Sequence, residues 1–146
     1  MGSGKAGNSQ IDVDGLLKLA REKSIDGRKA LLRAISDLFE GRSEELNERE
    51  VTLMHAILHQ LVSDTEKEVR KAVSDQFAAS QYISAEIVKE LANDDIEVAF
   101  SVLRHSKLLR DPDLIEVIRN RTFEHQLAVA QRENIMLILD EFQDIV

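Results

Sequence analysis

Cysteine and tryptophan are absent from this chain of 146 residues, and it has one proline and one tyrosine. Without thiols there is no disulfide, no thiolate zinc site and no cysteine nucleophile. Glycine is scarce too, with three of its six copies in the first seven residues, so the body is nearly free of helix breakers. With five phenylalanines, the core must be built from Ala, Leu, Ile and Val. No stretch carries the roughly 18 uncharged apolar residues of a membrane span, and no signal-peptide core is seen. The expectation is a cytoplasmic protein that meets no membrane.

Positive charge is in short supply as well. Nineteen Lys and Arg face twenty-seven Asp and Glu, a net charge of −8 that deepens toward the C-terminal third. A field of that sign opposes a polyphosphate backbone, so nucleic acid is not an expected partner. Some of the acidity has a local role, because Asp94, Asp95, Asp111 and Asp113 fall where helices should begin and complement the helix dipole there.

What the chain does have is a repeat. Leu58, Ile87 and Leu114 are each followed four residues later by an apolar residue (Val62, Leu91, Ile118) and then by a capping side chain (Asp64, Asn93, Asn120). Five past the cap stand Val69, Val98 and His125, and four further on Val73, Val102 and Val129. Each column recurs after 29 and then 27 residues. A two-helix unit of that length cannot bury its apolar face alone, so neighbouring copies must share a core. The pattern predicts an all-α protein, a short right-handed α-solenoid of helical hairpins with about nine helices.

The chain divides accordingly. Residues 1–10 lack apolar periodicity and read as a disordered tail, and residues 11–146 as one solenoid domain. Within the tail, Gly-Ser-Gly-Lys imitates a phosphate loop, but Ala6 stands where Ser or Thr is needed, and the same residue spoils a myristoylation signal. Residues 11–46 form an atypical N-terminal capping repeat of two helices, about 13–22 and from Ser24 or Asp26 to Glu40, with Gly41 placed to end the second. Asn47 with Glu50 is a capping box for a helix over 48–62. Asp64 should cap a helix to Ala78, Ser84 one over 85–92 and Asn93 one to His105. Asp111-Pro112 opens the next, and Asn120 or Thr122 opens one ending near Arg132. Residues 134–146, with Ile135, Ile138, Leu139 and Phe142, form a closing half-repeat whose apolar stripe invites homodimerisation.

Around Asp64 the sequence resembles HEAT repeats, whose turn aspartate and second-helix Val-Arg pair are matched by Asp64, Val69, Arg70 and Ala72. From about Leu16 to Ile135, the runs LLKLAREKSIDGRKALLRAISDLF, LANDDIEVAFSVLRHS and DPDLIEVIRNRTFEHQLAVAQREN resemble a bacterial family of HEAT-like proteins. That family is known only as domain of unknown function 2336. The resemblance implies a helical repeat fold and no established activity.

Chemistry-bearing constellations are few. His55 and His59 lie one helical turn apart, a spacing that suits a metal, yet zinc needs a third ligand and none is evident. His125 beside Glu124 could build a catalytic base, but a half-buried histidine held by a neighbouring cap or carboxylate explains it more simply. No nucleophile elbow or glycine-rich loop exists, so no catalytic residue, metal or cofactor is assigned and an enzyme is not expected. The basic residues of the second helices are the remaining candidates: Lys67, Arg70, Lys71 and Arg104, with Ser101 and His105. Lining one face of stacked hairpins, they would offer a concave surface to a protein or peptide partner, acidic by complementarity. The competing expectation is a regulatory domain whose Arg104–Arg110 cluster holds a small anion such as a nucleotide second messenger.

Overall fold

A computed structural model of the chain describes residues 14, 15, 18, 21, 23–42, 45–63 and 65–132. Among them are seven α-helices and no strand: α1 Ile25–Arg42, α2 Glu48–Ser63, α3 Lys67–Phe77, α4 Ala85–Ala92, α5 Ile96–His105, α6 Asp111–Asn120 and α7 Phe123–Ala130. The expected tail, Asp64, most of the helix over 13–22 and the closing segment 134–146 lie outside the described residues.

Most starts follow the capping chemistry. The Gly27 amide donates to the Ser24 hydroxyl (3.0 Å), and Asn47 and Glu50 exchange the two bonds of their box at 3.0 and 2.8 Å. Ser84 caps α4 and Thr122 caps α7 through their side-chain oxygens. Four expected boundaries differ. Glu66, not Asp64, is the residue before α3, and Arg110, not Asp111, the residue before α6, Asp111 being already helical. Asn93 does not open α5; it closes α4, its side-chain amide donating to the Lys89 carbonyl at 2.9 Å. Asp95 takes the position before α5 without a side-chain cap bond. Gly41 does not end α1 either, because it keeps a helical backbone and the helix runs on to Arg42.

The repeat columns mark the core. Apart from the capping column, all twelve of their residues are buried, from Leu58, Leu91 and Val98 at 0% exposure to Val62 at 5%. Helix α3 packs between α1 and α5, and α5 between α3 and α7. Behind them α2 meets α3 and α4, α4 meets α5, and α6 meets α7. Phe39, Phe77 and His55 close the N-terminal end of the core, the two phenyl rings edge-on at 6.2 Å.

Polar struts reinforce each junction between successive odd-numbered helices. Arg28 and Lys29 of α1 pair with Glu66 and Glu68 at the start of α3 (2.8 and 2.7 Å). Lys67 of α3 reaches Asp95 and Glu97 (3.3 and 3.6 Å). Arg132, after α7, donates to the carbonyls of Leu103 and Ser106 at the C-terminal end of α5, and to that of Val102, which also accepts from the Ser106 amide. Burial lowers the pKa of that guanidinium, partly opposed by the charge of Asp111.

Candidate functional site

The six basic and polar residues singled out by sequence separate into two groups. Lys67, Arg70, Lys71 and Ser101 are engaged by the chain's own carboxylates. Lys71 pairs with Asp75 one turn on at 2.7 Å, and the Ser101 hydroxyl donates to the other oxygen of Asp75. Arg70 makes the best-built contact: Nε and Nη2 donate to the two Asp94 oxygens at 2.7 and 3.1 Å, and Nη1 donates to the Thr65 carbonyl at 2.6 Å. Both side chains of that pair are about four-fifths sequestered from water, a setting in which a bidentate charge-assisted bond counts. Burial acts to raise the Asp94 pKa. Hydrogen bonds from Arg70 and the Asp95 amide, with the Arg70 and Lys67 charges, outweigh it and hold the carboxyl below the ordinary aspartate value.

The same turn is gripped from the other side. His125, 2% exposed in a column otherwise filled by valine, has Nε2 at 2.8 Å from the Asp94 carbonyl and Nδ1 at 2.7 Å from the Thr122 hydroxyl. A neutral ring with its hydrogen on Nε2 satisfies both contacts, donating to the carbonyl and accepting from the hydroxyl. Arg121 Nε donates to the Asn93 side-chain oxygen at 2.9 Å. These contacts place Arg70 and His125 in structural roles. His55 and His59 part company too, His55 Nε2 meeting the Tyr82 carbonyl (3.1 Å) and His59 facing Glu90 (3.6 Å). Among the described residues no group of three His, Cys, Asp or Glu side chains is placed to hold a metal.

Arg104 and His105 form the second group. Among the described residues no ion pair is found for either, nor for Lys107 and Arg110 just beyond. Arg104 lies over the Phe100 ring, 5.2 Å from its centre, with its Nε shielded from water and without a hydrogen-bond partner. Phe100 is itself 39% exposed, and on the adjoining α7 Phe123 is 66% and Leu127 47% exposed. Sequence reasoning passed over these three. Their signal was present: Lys71, Phe100 and Leu127 occupy one column at the same offsets of 29 and 27, and an outward position there turns from charged to apolar. Asp75 ties this face to a cleft of about 370 Å³ between α1 and α3, lined also by Lys29, Leu32, Arg33, Ala72 and Gln76. The row α1–α3–α5–α7 therefore offers charged side chains at one end and apolar ones beside Arg104 at the other.

A family model described as an uncharacterised protein conserved in bacteria (DUF2336) matches residues 98–137. The chain is similar to that family over α5, α6 and α7. The likeness expected from Leu16 onward is thus found in the C-terminal part, which holds Phe100, Arg104, Phe123 and Leu127. No curated protein and no solved structure matches the chain.

Proposed function

We propose that the chain is a docking module without catalytic activity, a short α-solenoid of HEAT-like hairpins that holds a protein segment on its α3–α5–α7 row. One observation carries this reading: Phe100 on α5 and Phe123 and Leu127 on the adjoining α7 are all exposed, with Arg104 over the first of them. Aromatic and arginine side chains are the residue types enriched at interface centres, and clustered apolar exposure marks interaction surfaces. The contact order in which each odd-numbered helix touches the next supports a stacked arrangement, and the buried repeat columns agree with it. Arg104, Lys107 and Arg110, for which no ion pair is found among the described residues, favour a partner segment that is apolar on one side and acidic on another. The net charge of −8 argues against nucleic acid. Among the described residues no helix is long and apolar enough to cross a membrane.

A photo-crosslinking side chain placed at position 100 or 127 tests this in host lysate. The expected result is a discrete adduct from both positions, lost on Arg104→Glu with the circular-dichroism spectrum unchanged. Equal labelling from Glu116, exposed on α6, would show general stickiness and end the docking reading. The small-anion reading draws on the same cations and is separated by thermal shift. Nucleotides would raise the Tm of the wild type but not of Arg104→Ala.

A further inference from the structure

Helices α5 and α7 lie side by side and run the same way. His125, in the first turn of α7, meets the carbonyl of Asp94 just before α5, and Arg132, past the end of α7, donates to the carbonyls of Leu103 and Ser106 at the end of α5. Phe100 and Leu127 hold the same repeat column, so they occupy one side of this pair. One turn away on that side stand Arg104 on α5 and Phe123 on α7. Glu124, exposed and three residues before Leu127, shares it as well. Arg104 belongs to the last turn of α5 and Glu124 to the first turn of α7. Among the described residues no ion pair is found for either. The face thus has an apolar middle, a cation at the C-terminal end of one helix and a carboxylate at the N-terminal end of the other. The docking reading calls for a partner that is apolar on one side and acidic on another, and α7 of this chain has that chemistry itself.

We propose that the partner is a second copy of the chain, seated face to face over α5 and α7 with two-fold symmetry. The inference rests on the docking reading of that face and names its occupant. A two-fold axis through the face sets the two pairs of helices antiparallel, so the C-terminal end of α5 lies over the N-terminal start of the partner's α7. Arg104 then faces Glu124 of the partner subunit, and symmetry forms the same pair a second time. Between the two pairs Phe100 meets Leu127 of the partner subunit, which takes both out of water. The opposite charges at the two ends fix the register. Helices of 10 and 8 residues, about 15 and 12 Å long, make a small interface, so the dimer is weak, with a Kd of roughly 10–100 µM.

Sedimentation equilibrium of the full chain over a concentration series reads the association, and the wild type should pass from monomer to dimer. Arg104→Glu alone sets carboxylate against carboxylate, and Glu124→Arg alone sets guanidinium against guanidinium, each twice per dimer. Either should weaken association by at least about tenfold with the circular-dichroism spectrum unchanged. Mixing the two variants should restore it as a heterodimer, because every contact is again opposite in sign. Neither damaged folding nor general stickiness gives that rescue. A wild type that stays monomeric to about tenfold above the expected Kd overturns the proposal. A dimer indifferent to both reversals, or a mixture that stays dissociated, overturns it also. A photo-crosslink from position 127 to a different protein, made by a chain that stays monomeric, sinks this inference alone and leaves the docking module standing. No dimer together with no adduct from position 100 or 127 sinks both.

Discussion

Asp94 shows how one carboxylate can tie three parts of a chain together. It receives two bonds from Arg70 of α3, and its own carbonyl accepts from His125 of α7. Its pKa is held below the ordinary value, which fixes the sign of a pH effect. A depressed folded-state pKa contributes stability above the unfolded value, near 4, and that contribution fades as pH falls through the folded one. Asp94→Asn keeps the shape and removes the charge, so the wild type should lead it by about 1–3 kcal/mol at neutral pH. Urea unfolding at pH 7 and near pH 3 checks this. The lead should narrow in acid, and an equal gap at both values would show that the ion pair contributes nothing. The same network explains why Arg70 is a poor probe of docking: reversing its charge would damage the fold before it informed on a partner.

At the level of helices, Gly41 offers the plainest prediction. It sits in the last turn of α1 with a negative φ, and a Cβ added there would meet nothing within 4 Å. Gly41→Ala should therefore stabilise the protein by about 0.5–1 kcal/mol through helix propensity and a less free unfolded chain. A fall in urea midpoint would show that a side chain at position 41 is strained despite the open space around it. Gly41 also illustrates what sequence could and could not reveal. Glycine after an apolar stripe resembles a helix stop, but one more helical residue costs little at an exposed end. Columns such as Val69–Val98–His125 were readable because burial imposes apolar periodicity on every copy. The Asn47–Glu50 box was readable because both partners lie on one turn. Asp94 as receiver of Arg70 was not, since 24 residues separate the two and an unrelated cap role competed for the aspartate. Phe100 and Leu127 were hidden by the same logic that reveals cores: an apolar residue in a helix is read first as interior.

For the molecule as a whole, neighbour contacts are uneven. Helix α5 touches α3, α4 and α7, whereas α6 packs chiefly on α7. Local opening should follow that inequality, because a helix with fewer packed neighbours opens at lower cost. Native-state hydrogen exchange is expected to find the slowest amides in α3 and α5 and faster ones in α6. Equal protection across all seven helices would mean a single cooperative block.

The Asn93–Asp95 turn has an evolutionary consequence. It takes a guanidinium from the hairpin before it and both an imidazole and a guanidinium from the hairpin after it. In the following hairpin the place of Asp94 is held by Arg121. Transposing the two units would set Arg121 against Arg70, like charge on like. The modules look alike in their grease but not in their joints, and tandem duplication or reshuffling of this gene segment would need charge changes to survive.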